Sequence, residues 1–173
     1  MTYIMVQVES LAISKEDIAA RELGILAIKP LVEIFDAELI QEIEFASQGM
    51  TAAEVAKFSQ VGEGGIYSRR RNIIHELGCH NMPHVIRVAC QQALFKEPLP
   101  DQSIIRLTPI QLIEINLISL GYEGKEIAAY RHVRHDVFRN SSEDISRKLR
   151  AKNKSHATRI SFEQHILPLN QAA

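Results

Sequence analysis

The chain has no tryptophan, two cysteines, six prolines and eight glycines among its 173 residues. Cys79 and Cys90 are too few for a disulfide framework, so the thiols are expected to be reduced and the protein cytoplasmic. Scarce glycine and proline, with 46% hydrophobic residues, argue against extensive disorder and supply material for a packed core. No apolar run approaches the roughly 20 residues of a membrane span, and no signal-peptide pattern opens the chain, so no membrane partner is expected. There is no phosphate loop, no nucleophile elbow and no convincing acid–base pair. An enzyme is therefore not expected, and neither is a cofactor. His75, Cys79, His80 and His84 cluster, but their spacing matches no zinc pattern, and no metal is expected.

Charge of one sign is also missing overall: the net value is −1. The total hides an asymmetry. Residues 1–60 hold four basic and ten acidic residues, and residues 125–159 hold ten basic and four acidic ones. The basic back half points to an anionic partner, against the alternative of a solvated helical surface.

What the sequence does contain is a long ungapped repeat at an offset of 72 positions. Glu126-Ile127-Ala128 stands where Glu54-Val55-Ala56 stood. Val133 repeats Val61, Ile145 repeats Ile73, Leu149 repeats Leu77 and Asn153 repeats Asn81. The expected organisation is an N-terminal extension (1–35), a first unit (36–97), a linker (98–106) carrying Pro98 and Pro100, and a second unit (107–173).

Each unit reads as four helices. In the first, Asp36 caps a helix that Gly49 ends. Thr51 to Glu54 is a capping box for a short second helix, and Glu63 to Glu76 forms the third, with Ile66, Ile73, Ile74 and Leu77 on one face. A fourth helix after Asn81 carries Val85, Ile86, Ala89 and Leu94. In the second unit, Thr108-Pro109 opens the first helix with Gln111 completing a capping box, and Gly121 stops it. Glu126 to Arg131 is the second helix, His135 to Lys148 the third, and the fourth starts near Asn153 with Ala157, Ile160 and, as a further candidate, Ile166. In the extension, Thr2 to Val8 is β-prone and suits an edge strand or an arm. Ser14 to Asp17 opens a helix expected to end at Gly24. The fold class is all-α: two four-helix helix-turn-helix units in tandem with a short N-terminal extension.

A short helix, a tight turn and a longer helix with polar residues outward is the helix-turn-helix plan. Leu107-Thr108-Pro109, Gly121, Glu126-Ile127-Ala128, Val133, Lys148-Leu149 and Lys152-Asn153-Lys154 resemble the DNA-binding domain of LuxR-type transcription regulators. The first unit resembles it through Gly49, Glu54-Val55-Ala56, Val61, Leu77-Gly78 and Asn81. Together the two copies cover about 120 residues. The resemblance implies double-stranded DNA as partner. It places base-reading positions just after Ile66, at Tyr67, Ser68 and Arg71 with Arg69 between them, and just after Phe138, at Arg139, Asn140 and Glu143. Arg suits guanine and Asn adenine, while Glu143 repels phosphate and can at best accept from cytosine. Arg134, Arg147, Lys152 and Lys154 are the expected phosphate contacts.

Family members usually join one such domain to a receiver or ligand-binding domain. The resemblance covers neither here, so phosphorylation or autoinducer sensing by this chain is not implied. The expected function is a transcription regulator whose two units act as a pseudo-dimer. The alternative is a protein-interaction module, an anti-activator or co-regulator, favoured by the acidic front half, Gly62, Gly64 and Gly65, and Glu143. A protein partner would use the first unit or the extension, and the extension leaves homo-oligomerisation open. The chain departs from the family pattern where Glu42 and Arg70 replace apolar residues in the first unit, and Glu114 and Ser142 in the second. An unpaired charge at such positions costs several kcal/mol. Glu42 and Arg70 are therefore expected to pair between the first and third helices.

Overall fold

The computed structural model describes residues 13–95 and 105–168, all of them helical or irregular, with no strand among them. The proposed strand at Thr2 to Val8 and the linker residues 98–104 lie outside the described residues. Ten helices follow in order: α1 (Lys15–Leu26), α2 (Leu31–Ile34), α3 (Ala37–Ser47), α4 (Ala52–Phe58), α5 (Glu63–Glu76), α6 (Met82–Gln91), α7 (Pro109–Ser119), α8 (Gly124–Tyr130), α9 (His135–Lys148) and α10 (Lys154–Glu163). None is long and apolar enough to cross a membrane.

Most boundaries follow from capping chemistry. Ser14, Thr51 and Thr108 each accept from the amide three residues on and donate their own amide to that residue's side chain in a capping box, while Asp36, Asn81 and Asn153 cap with the side chain alone. Gly49, Gly78 and Gly121 take the left-handed conformation that ends a helix. Four expectations need correction. Helix α1 runs through Gly24 to Leu26, because Gly24 keeps helical geometry and its carbonyl accepts from Ala27. Helix α8 starts at Gly124, two residues early, since Glu123 is already at the cap and its amide bonds Glu126. Leu94 lies beyond α6, which ends as Ala93 turns to positive φ. Ile166 lies beyond α10, where His165 does the same.

The core repeats with the sequence. Ile43, Ile73, Leu77, Val85 and Ala89 of the first set are buried, and so are their equivalents Ile115, Ile145, Leu149, Ala157 and the hydroxyl-bearing Ser161. The departures from apolar pattern are satisfied by ion pairs. Buried Glu42 accepts from Arg70 Nε at 2.6 Å, and the same guanidinium reaches the Met50 carbonyl at 2.9 Å. The expected Glu42–Arg70 pair is therefore present. Buried Glu114 solves the same problem differently, taking Arg131 from the end of α8 and the Ser141 hydroxyl from α9.

The most extensive helix packing joins the two sets, with α6 lying on α10, α6 also touching α7, and α10 also touching α3. The contacts are reciprocal. Asn81 Nδ2 donates to the Gly121 carbonyl at 3.0 Å, and Asn153 Nδ2 donates to the Gly49 carbonyl at 3.0 Å. Arg87 Nη1 donates to Ser119 Oγ at 2.7 Å, and Arg159 Nη1 to Ser47 Oγ at 2.8 Å. Each residue in one bond has its 72-position equivalent in the other, as across the two-fold of a symmetric dimer. Glycine is needed at the crossings: a Cβ on Gly49 would sit 2.9 Å from Lys152 Cβ, and one on Gly121 would sit 3.0 Å from His80 Cβ. Both glycines also have positive φ, so Gly49→Ala combines strain with a clash and is expected to cost about 1–3 kcal/mol in denaturant unfolding. A loss below a few tenths of that range would show that α10 can shift freely.

The extension does more than cover the first set. Gln92 at the end of α6 accepts from the Leu31 amide and donates to the Ile28 and Lys29 carbonyls. Arg21 of α1 donates to the Leu120 carbonyl at 3.0 Å and stacks 3.6 Å over the Tyr122 ring. Helix α1 thus straps the first set to the second.

Candidate nucleic-acid interface

The third helices α5 and α9 are held by their apolar stripes, Ile66 and Ile73 in one and Phe138 and Ile145 in the other, all buried. Their opposite faces are polar. Both also begin without a side-chain cap, at Gly62 and at Arg134, whereas α3, α4, α6, α7 and α10 each have one. The first-turn amides of α5 and α9 therefore keep free donors at the positive end of the helix dipole.

On α5, Tyr67, Ser68 and Arg71 are exposed. The Ser68 hydroxyl is turned back onto the Gly64 carbonyl at 3.0 Å. Of the run Arg69-Arg70-Arg71, Arg69 pairs with Glu38 of α3 at 2.5 Å and Arg70 lies in the core contact with Glu42. That leaves Arg71 with no ion pair among the described residues. The glycines that open α5 are not demanded by packing at two of three places: a Cβ on Gly62 or Gly64 would meet nothing within 4 Å, while one on Gly65 would strike Val61.

On α9, the cations are matched by carboxylates. Arg134 grips Asp136 through two bonds at 2.8 and 3.1 Å. Asp144 receives Arg147, Lys148 and Gln111, and hydrogen bonds from Arg147 first, then Lys148 and Gln111, hold its carboxyl down to about 2. Arg139 and Glu143 stand one turn apart, 4.0 Å between charged atoms. Lys152, Asn153 and Lys154 open α10 beside this helix, and a groove between them is lined by Arg139, Ser142, Glu143, Ser146, Lys152 and Lys154. The Lys154 ammonium lies 5.8 Å from the Phe138 ring centroid. The groove shares Glu123, Asn153 and Lys154 with a second hollow that reaches Asn81 and Pro83 at the start of α6. Of the residues named from the sequence on α9 and at the start of α10, Arg139, Glu143, Lys152 and Lys154 line this concave face, while Asn140 is exposed outside its lining and Arg134 and Arg147 are engaged in local ion pairs.

Sequence reasoning missed the residues that join the sets: Arg87 and Arg159, His84 and His156. His156 repeats His84 and Arg159 repeats Arg87 at the 72-position offset, which was the available signal. His84 Nδ1 accepts from the His80 amide at 3.4 Å, and His156 Nδ1 accepts from the Lys152 amide at 3.2 Å, so both rings act as neutral acceptors at the openings of α6 and α10. Cys79 and Cys90 are free and buried, and burial pushes both thiols up to about 12, which leaves them unreactive. No group of three or more His, Cys, Asp or Glu among the described residues is arranged to hold a metal.

Comparison with known proteins adds no relative: no protein-family model, no curated protein and no solved structure matches the chain.

Proposed function

We propose that the chain is a cytoplasmic DNA-binding transcription regulator in which α3–α6 and α7–α10 are two LuxR-type helix-turn-helix units, paired as a pseudo-dimer within one polypeptide. The observation that carries this is the reciprocal joint, Asn81 to Gly121 and Asn153 to Gly49, which fixes two uncapped third helices relative to each other. Dimeric helix-turn-helix proteins address two half-sites by such a pairing, and a covalent link makes the second contact intramolecular. Lys152 and Lys154 stand exposed beside α9 without an ion pair among the described residues, as phosphate contacts require.

The test is binding of the purified chain to genomic duplex fragments across a salt series. Specific binding that weakens steeply with salt is expected. Lys152→Ala with Lys154→Ala should flatten the slope of log K against log salt by about 2. Absence of binding at low salt would overturn the proposal.

One observation favours a protein partner for the first unit. Phe58 is 79% exposed at the end of α4, whereas its equivalent Tyr130 is packed against the core. With two of three arginines on α5 tied into ion pairs, that unit offers an apolar contact and little free positive charge. A partner recovered by pull-down and lost on Phe58→Ser, with DNA binding retained, would assign the first unit to protein.

A further inference from the structure

The groove between α9 and the start of α10 owes its depth to three residues that differ between the two sets. Its lining includes Phe138, Ser142, Ser146, Lys152 and Lys154, and its volume is about 570 Å³, within the range of small-molecule pockets. At the 72-position equivalents of Ser142, Ser146 and Lys154 the first set carries Arg70, Ile74 and Met82. There the positions are taken up by packing: Arg70 turns in to Glu42, and Ile74 and Met82 lie against the core. Two serines and an outward lysine leave the same place open in the second set.

The lining brings together Arg139, Lys152 and Lys154 with the carboxylates of Glu123 and Glu143. Glu143 stands one turn from Arg139, and Glu123 accepts from Asn81 Nδ2 at 3.4 Å. The two lysines are the cations without an ion pair among the described residues, and the Ser142 hydroxyl makes no hydrogen bond among them. Buried Phe138 adds an apolar wall. A phosphate monoester carries a charge of about −1.5 to −2 and three acceptor oxygens, which two ammoniums and a hydroxyl answer. A duplex reaches the exposed lysines, but its backbone is too broad to enter a hollow of this size. A monoester with a small organic body enters it and gains the contact with Phe138.

We propose that this groove binds a small phosphate monoester, its phosphate between Lys152 and Lys154 and beside Ser142, and that the bound ester competes with DNA for the two lysines. The site stands on the groove alone, and the competition rests on the DNA-binding reading above.

The experiment is an NMR amide-shift titration of the full chain with inorganic phosphate, with adenosine monophosphate and, at matched ionic strength, with sodium chloride. Both phosphates should saturate, with shifts centred on Ser142, Ser146, Lys152 and Lys154, and chloride should not. Ser146→Ile puts into α9 the residue that the first set has at Ile74, and so fills the hollow while both lysines keep their charge. It should weaken adenosine monophosphate about tenfold or more, and Lys152→Ala with Lys154→Ala should abolish binding of both phosphates. Equal shifts with chloride, shifts spread over both sets, or nucleotide affinity unchanged in Ser146→Ile would overturn the site. Thermal unfolding is the folding control for Ser146→Ile. The double lysine variant, altered only at exposed side chains, decides the matter if that protein does not fold: retained phosphate binding would overturn the site. In a DNA-binding assay, adenosine monophosphate at about ten times its own Kd should raise the apparent Kd for DNA about tenfold in the wild-type chain and far less in Ser146→Ile. Bound nucleotide with unchanged DNA affinity would overturn the competition. A chain that shows no salt-dependent DNA binding but binds the phosphates would overturn the regulator reading and support the site.

Discussion

Arg87→Ala should destabilise the protein by about 3–5 kcal/mol in urea or thermal unfolding. The guanidinium is 1% exposed and is held by Ser119 and Asn116, each at 2.7 Å, and by Glu22 at 3.3 Å. It ties α6 to α7 of the other set and to the α1 strap at once. Truncation leaves a void among fully buried neighbours, and the Ser119 and Asn116 acceptors lose a charged donor. Glu22→Gln should cost far less, about 1 kcal/mol or under, because Glu22 is one-third exposed and water can replace its partner. If Arg87→Ala lost no more than Glu22→Gln, the joint would have to be held by its apolar contacts alone.

Acidification should be nearly as costly, through His84. Its ring is 5% exposed, and Nε2 has no partner. Burial lowers its pKa first, the His80 ring stacked on it at 5.7 Å contributes next, and the Arg21 and Arg87 guanidiniums follow, bringing it to about 4 from an ordinary 6.5. The unfolded chain therefore binds more protons than the native one between these values, and stability rises with pH across that window. The contribution is complete above about pH 6.5 and is lost as pH falls toward 4, a change of about 3 kcal/mol. His156, half-buried beside Lys152 and Arg159, shifts in the same direction, through desolvation first and the two cations next. Unfolding free energies measured from pH 7.5 to 4.5 should fall accordingly. The fall should be shallower in His84→Gln, and equal slopes in the two proteins would remove His84 from the account.

Much of the helical layout was legible in the sequence because capping is local. Thr51 and Thr108 announce α4 and α7 within four residues, and no distant contact is needed to read them. The Glu42–Arg70 pair was legible for a related reason: a charge at an apolar position of one helix needs a complement on the facing helix. The ends of α1, α6 and α8 were not, since Gly24 fits a helix interior as well as a stop and only packing decides. The joint was half-visible. Gly49 and Gly121 were read as stops, and Asn81 and Asn153 as the places where the fourth helices begin, but each Asn caps its helix and its amide has spare donors whose destination lies in the other set. On the candidate interface, the sequence named Arg139 and Asn140 as base-reading positions and Lys152 and Lys154 as phosphate contacts, and three of these four line one groove. The ion pairs that engage Arg69 and Arg134 depend on side-chain reach across or along helices and had no spacing rule to reveal them, whereas the Asp144–Arg147 pair sits at the i,i+3 spacing that a helix brings together.

The reciprocal joint has a consequence for how the molecule tolerates change. In a dimer of identical subunits, every substitution is made twice, so an alteration that suits one side is imposed on the other. Within a single polypeptide each half can be altered alone. The buried glutamates illustrate it: Glu42 is answered from α5 by Arg70, while Glu114, at the same place in its own half, is answered from the end of α8 by Arg131. Phe58 and Tyr130 have likewise parted, one left in solvent and the other packed. Two halves that share a joint but not their outer faces can hold unlike partners at a fixed separation, a geometry closed to any homodimer with the same fold.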